Sequence, residues 1–171
     1  NYNKNGAWSA LSLRGYASDP EFITKPVEMN KKWKQEHADE IFEMQDTKLR
    51  HSLPSVELIL NLIPSTFHRI RIMRLAPGGG ELERHTDQVD PDSGIKNGKI
   101  MRLHFPIVTN DSVMFTTWNV DGTKKNVHMK RGECWYLDTR KPHRAINAGN
   151  TDRLHLVVDV DANDDVRGLI C

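Results

Sequence analysis

From residue 68 onward, apolar and polar side chains alternate in short runs separated by turn residues. The runs cover 68–75, 82–87, 101–108, 112–118, 124–129, 133–138, 143–147 and 153–160. The breaks fall at Pro77-Gly78-Gly79-Gly80, Pro91-Asp92-Ser93-Gly94, Asn110-Asp111, Asp121-Gly122, Arg131-Gly132 and Asn147-Ala148-Gly149-Asn150. A period of two marks a strand with two different faces. Many short strands at this spacing predict an all-β sandwich or barrel.

Residues 1–66 have a different texture. Trp8 to Leu13 alternates loosely and reads as a strand. Between 27 and 44, Val27, Met29, Trp33, Ala38, Ile41, Phe42 and Met44 make a sparse helical pattern among charges. Pro54 suits the first turn of a helix, and Val56, Leu58, Ile59, Leu60, Leu62 and Ile63 follow before Pro64 stops it. Helices before and strands after predict a β-sandwich with one face covered by helices. The division is a cover over 1–66 and a strand-built core over 67–171, within one domain.

Two of the runs carry charge on one face. In 101–108, Leu103, Phe105 and Ile107 share a side, opposite Arg102 and His104. In 153–160, Leu154, Leu156, Val158 and Val160 share a side, opposite Arg153, His155, Val157 and Asp159. Such a face is either solvated, as charged residues usually are, or lines a cavity inside the sandwich.

Composition narrows the classes. The chain has 171 residues, with 24 Lys+Arg against 23 Asp+Glu, a balance that argues against a general nucleic-acid binder. At that length a chain buries roughly 70% of its unfolded surface and needs no disulfide or metal merely to fold. No run approaches the ~18 apolar residues of a membrane span. Asn1 to Asn5 lacks the apolar core of a signal peptide. The absence of an initiator Met leaves upstream residues open. Two cysteines, Cys134 and Cys171, are too few for a disulfide framework and suit a reducing cytoplasm. Any metal would therefore be held mostly by nitrogen and oxygen, which directs attention to the eight histidines.

His85 and Asp87 share one side of a strand and can grip a single ion. His143 follows Lys141-Pro142, where the proline fixes the entrance to another strand. Two histidines and one carboxylate occupy one face of an octahedral metal and leave three positions open, as in the facial triad of non-haem Fe(II) oxygenases. Arg153 lies ten residues after His143 across a turn, and a hairpin return would set it beside His143 on the neighbouring strand. An inward arginine is costly unless it meets an anion, and its planar fork suits a carboxylate. The far carboxylate of 2-oxoglutarate is such a group.

These elements resemble the Fe(II)/2-oxoglutarate-dependent oxygenases, and among them the aspartyl/asparaginyl β-hydroxylase-like family, including small bacterial relatives acting on amino acids such as proline. The matching stretches are Arg71 to Gly78, His85-Thr86-Asp87, Arg102 to Asn110, Gly132 to Asp138, Pro142-His143 and Arg153 to Asp159. They span about residues 68–160. The resemblance implies a double-stranded β-helix (jelly-roll, cupin-like) with N-terminal helices on its outer sheet. It implies His85, Asp87 and His143 as iron ligands, Arg153 as the partner of the far carboxylate of 2-oxoglutarate, and Arg102 and His104 as further residues of the co-substrate pocket. Cofactors would be Fe(II), 2-oxoglutarate and O2. The substrate would be a small molecule or an amino-acid derivative, hydroxylated with release of succinate and CO2. Asp87 argues against a halogenase, since those relatives lose the carboxylate.

Other features read more simply. Gly78-Gly79-Gly80 lacks the Gly-Lys-Ser/Thr of a P-loop and is expected as a turn. Lys31-Lys32-Trp33-Lys34, beside Glu36, Asp39, Glu40 and Glu43, reads as a solvated helix face. His37, His51 and His68 read as surface or packing residues and Cys134 as a packed core thiol. Arg74, Trp118 and His128 are candidates for the substrate wall. Two other functions fit part of the pattern: a non-catalytic cupin-like binding domain, and a metal enzyme of the same barrel that does not use 2-oxoglutarate. Oligomeric state is not readable.

Overall fold

The computed structural model describes residues 3, 6–87 and 99–170. The turn expected at Pro91–Gly94 lies outside them. Among the described residues ten strands, numbered in chain order, form two antiparallel sheets. They are β1 (Trp8–Gly15), β2 (Gln45–Asp46), β3 (Phe67–Leu75), β4 (Gly80–His85), β5 (Ile100–Val108), β6 (Val113–Trp118), β7 (Lys124–Val127), β8 (Trp135–Tyr136), β9 (His143–Asn147) and β10 (Arg153–Asp161). The larger sheet runs β2-β1-β3-β10-β5-β8 and the smaller β4-β9-β6-β7.

From β3 onward the chain passes back and forth between the sheets, with only β6 and β7 adjacent in both sequence and space. This is the double-stranded β-helix. It corrects one expectation: β9 and β10 are not a hairpin. β9 pairs with β4 and β6, whereas β10 pairs with β3 and β5. The turn at 147–152 carries the chain across the sandwich, so Arg153 faces the His143 strand from the opposite sheet. Local spacing cannot distinguish a hairpin from such a crossing.

Four short α-helices complete the described chain: α1 (Lys31–Glu36), α2 (Lys48–His51), α3 (Pro54–Leu60) and α4 (Asp164–Gly168). Val56 and Leu60 of α3 and Val166 of α4 pack on Leu13, Ile70, Met101, Leu103, Leu156, Val158 and Val160, which cover the outer face of the larger sheet. A second cluster, Leu75, Phe115, Met129 and Ala145, lies between the sheets. The expected helical stretch over 27–44 shrinks to α1. There Asn30 caps the Trp33 amide, and Trp33 stacks with His37 and Phe22 instead of extending an apolar helix face. The first segment also supplies β1, which pairs with β3 along the edge of the larger sheet.

The turn after β3 uses its glycines: Gly78 and Gly79 have φ of +72° and +92°, a region glycine enters freely. Their amides bond to the carbonyls of Gly149 and Asn147, tying the β3–β4 turn to the β9–β10 crossing. The run expected over 133–138 is a strand only at Trp135–Tyr136, where it pairs with β5. Trp135 packs inward, whereas Cys134 is exposed, a correction to the expected core thiol.

Candidate metal and anion site

Between the sheets lies a cavity of about 380 Å³. The smaller sheet contributes His85 from the end of β4 and His143 from the start of β9, which pair across the strands. Asp87 follows β4, its amide held by the Thr139 carbonyl at 3.0 Å. The ligating atoms of His85, Asp87 and His143 all lie within 4.8 Å of one another. The Nε2 atoms of His85 and His143 are 3.6 and 3.9 Å from Asp87 Oδ1.

The backbone sets the tautomers. His85 Nδ1 lies 2.6 Å from the Glu83 carbonyl oxygen and His143 Nδ1 2.9 Å from that of Lys141. A carbonyl only accepts, so each Nδ1 donates its proton. Each Nε2 then keeps a lone pair toward the other ligands, as at metal-binding histidines. Burial pushes the His143 imidazole below its ordinary pKa, against the Lys141 carbonyl and Asp87. The neutral, ligating form is thereby favoured.

The larger sheet faces this cluster with charge. Asp159 of β10 pairs in register with Arg102 of β5. Arg102 Nε donates to Asp159 Oδ1 at 2.6 Å, and Nη2 to Oδ2 at 3.1 Å. Its Nη1 donates to Asp87 Oδ2, so Arg102 braces a member of the His85–Asp87–His143 group. Arg71 Nη2 and Arg69 Nε of β3 also lie 3.4 Å from Asp159 Oδ2. Burial alone would raise the Asp159 pKa, but Arg102 and Arg71 outweigh it and hold the carboxyl far below its usual range. Burial pushes Arg71 down to about 9, helped by Arg69 and Arg102.

Deeper along β10 sit His155 and Arg153, 1% and 5% exposed. Arg153 Nη2 donates to His155 Nδ1 at 3.0 Å. Burial and Arg153 keep His155 neutral, well below its ordinary pKa. His104 lies opposite, its ring 5.9 Å from that of His155. Arg153 Nε, His155 Nε2 and both ring nitrogens of His104 are buried without a hydrogen-bond partner among the described residues. Unpaired buried polar atoms are costly, and this group, dominated by an arginine, suits an anion.

The structure thus brings together His85, Asp87 and His143, and sets Arg102, His104 and Arg153 around the same cavity. Arg74, Trp118 and His128 stand elsewhere: Arg74 pairs with Asp152, Trp118 packs under Arg84, and His128 Nδ1 meets the Val113 carbonyl. His68, expected as an ordinary surface or packing residue, lines the mouth and contacts Asp161 at 2.6 Å. Sequence reading missed the Arg69–Arg71–Asp159 cluster. Its signal was the alternation of arginines in Arg69-Ile70-Arg71, which resembles a solvated strand face.

Residues 1–163 match the family model described as aspartyl/asparaginyl beta-hydroxylase. The chain belongs to that family. It is 30% identical over 118 residues to an L-proline cis-4-hydroxylase of Rhizobium meliloti (strain 1021), an alignment covering 68% of this chain and 38% of that relative's length. Among solved structures, it resembles an oxalate oxidase in complex with glycolate (11% identity, 95% of this chain and 55% of that one, TM-score 0.48). It also resembles a cupin domain from Bordetella pertussis (16% identity, 57% and 85%, TM-score 0.38). No helix among the described residues is long and apolar enough to cross a membrane.

Proposed function

We propose that this chain is an Fe(II)- and 2-oxoglutarate-dependent dioxygenase that hydroxylates a C–H bond of an amino acid or amino-acid-derived substrate, releasing succinate and CO2. The observation that carries the reading is the convergence of His85, Asp87 and His143, with both Nδ1 atoms spent on backbone carbonyls. Two nitrogens and one carboxylate oxygen suit a ferrous ion and leave coordination positions open. The unpartnered buried nitrogens of Arg153, His155 and His104 suit an anionic co-substrate. Family membership and the proline-hydroxylating relative support the same class.

When bound, iron, 2-oxoglutarate and O2 supply the oxidising chemistry. The protein's part is placement. His85, Asp87 and His143 would hold the metal, and Arg102 donates to Asp87 and braces it beside them. Arg153 would receive the far carboxylate of 2-oxoglutarate, oriented by His155, with His104 as a further donor along its length. Leu75, Phe115 and Ala145 pack between the sheets and would limit water beside these residues.

The test is anaerobic protein loaded with Fe(II). Addition of 2-oxoglutarate should give a visible charge-transfer band, and air should then give succinate. His143→Ala and Asp87→Ala should lose both, by more than the roughly 100-fold that loss of an outer-shell partner costs a metal site. Unchanged succinate formation in either variant would refute the ligand assignment.

A further inference from the structure

Two of the three residues proposed as metal ligands owe their setting to one short segment. Residues 137–142 carry the chain from β8 in the larger sheet to β9 in the smaller. On the way, the Thr139 carbonyl accepts from the Asp87 amide at 3.0 Å, and the Lys141 carbonyl accepts from His143 Nδ1 at 2.9 Å. The first of these bonds falls beyond the ladder. The register between β4 and β9 runs to His85 opposite His143, and Asp87 lies two residues further on. Arg102 holds the Asp87 carboxylate, and the crossing segment holds its backbone.

The segment is itself pinned. The Lys141 amide donates to the Asp138 carbonyl at 3.1 Å, closing a turn with Thr139 and Arg140 at its centre. The Trp118 amide donates to the Pro142 carbonyl at 3.0 Å, and Lys141 Nζ to Asn119 Oδ1 at 3.2 Å, tying the far end to β6 and the residue after it. Asp138 Oδ1 accepts from the Arg140 amide at 3.3 Å, an ordinary use of aspartate in a turn. The same carboxylate also takes Arg140 Nε at 2.7 Å and Nη2 at 2.8 Å. A guanidinium forked on a carboxylate fixes both side chains in one geometry, so the Asp138 rotamer and its turn are set together. The Arg140 side chain is 41% exposed, and a pair so open to water adds little to stability. What the fork adds is a fixed direction for the carbonyls of Thr139 and Lys141.

Resting on the ligand assignment above, we propose that Asp138 and Arg140 are positioning residues of the metal site, acting through the carbonyls of Thr139 and Lys141 on Asp87 and His143. Outer partners of metal ligands set ligand orientation and so metal affinity. The pair therefore matters more to metal binding than to the fold, the opposite of what a purely structural ion pair would do.

The experiment is titration of the metal-free protein with Co(II), the neighbour of Fe(II) in ligand preference, followed by the visible absorption of the bound ion. A denaturant midpoint is measured for each variant. Arg140→Gln and Asp138→Ala should each weaken Co(II) binding by about 10-fold or more, as loss of an outer partner does, with the midpoint close to that of the wild type. Arg140→Lys keeps the charge but not the fork and should fall between. The control is Arg144→Gln. Arg144 follows His143 on β9, has the same 41% side-chain exposure and pairs with Glu81 at 2.5 Å, yet its pair lies outside the turn at 138–141. Its loss should leave Co(II) affinity unchanged. The proposal falls if Arg140→Gln and Asp138→Ala bind Co(II) as the wild type does, or if Arg144→Gln weakens it equally. It also falls if affinity drops only in step with the midpoint. Should Asp138→Ala not fold, Arg140→Gln decides alone. The ligand assignment is tested separately by His143→Ala: if that variant binds Co(II) as tightly as the wild type, the assignment itself falls. If it loses the ion and Arg140→Gln does not, the assignment stands and the positioning role falls.

Discussion

The two faces of β10 are almost equally buried and chemically opposite. On the outer side Leu156, Val158 and Val160 are fully buried under α3 and α4. On the inner side Arg153, His155 and Asp159 are 5%, 1% and 4% exposed. Burial on the outer face stabilises the fold, because apolar area leaves water. Burial on the inner face costs free energy unless each polar group finds a partner. Asp159 has found three arginines, whereas Arg153 and His155 retain unpartnered nitrogens. One strand thus separates residues that stabilise the fold from residues arranged for a ligand, and low exposure alone does not tell them apart.

The comparison breaks first at Asp159, an inner-face residue that also holds the structure together. Asp159→Ala leaves three arginines without their shared counter-ion and should cost roughly 3–5 kcal/mol, read by denaturant unfolding. The pH dependence has a defined sign. The folded carboxyl lies below its unfolded value of about 3.9. Its contribution is therefore complete above that pH and is lost as the pH falls below it toward the folded value. Asp159→Asn should flatten the acid limb of the stability profile; an unchanged limb would place the acid sensitivity elsewhere.

The outer face makes the complementary case. Leu156→Ala should cost roughly 2–5 kcal/mol through lost burial and a cavity. Succinate formed per folded molecule should stay at the wild-type level. A drop in turnover without a drop in stability would mean that the two faces are coupled through the strand.

How much of this was legible follows from the same contrast. Alternation placed β3, β5, β6, β9 and β10 within a residue or so of their observed limits, because each strand has two different faces. It also set Arg153, His155 and Asp159 on one side. Alternation is silent about the partner sheet, so the β9–β10 crossing was mistaken for a hairpin. It is equally silent about what lies beyond a charged face, so nothing in it singles out Arg69 and Arg71. The helical pattern over 27–44 failed for another reason: Trp33, Phe22 and Phe42 find one another by ring stacking from separate segments, which no single-helix period describes. The convergence of His85, Asp87 and His143 was readable because two of them lie two residues apart and the third follows a proline that fixes its strand.

Arg153 sharpens the comparison at the deep end of the inner face. Arg153→Gln removes a buried cation that has only His155 for a partner among the described residues, and removal of one partner of a buried charged contact weakens binding by roughly 2 kcal/mol or more. The 2-oxoglutarate concentration giving half the charge-transfer band should therefore rise about 30-fold or more. An unchanged concentration would send the carboxylate to another cation, with Arg102 the first to test.

The smallest effect belongs to the outer layer itself. Helix α3 buries Val56 and Leu60 but leaves Leu58 69% exposed. Side chains two apart on a helix do not share a face, so Leu58 points away from the sheet that Val56 and Leu60 cover. Leu58→Ser should shift stability by no more than about 0.5 kcal/mol, as surface substitutions usually do. Turnover should be untouched. A loss nearer that of Leu156→Ala would mean that another surface covers this side of α3 in solution, and the outer face would then have a second layer that the present contrast lacks.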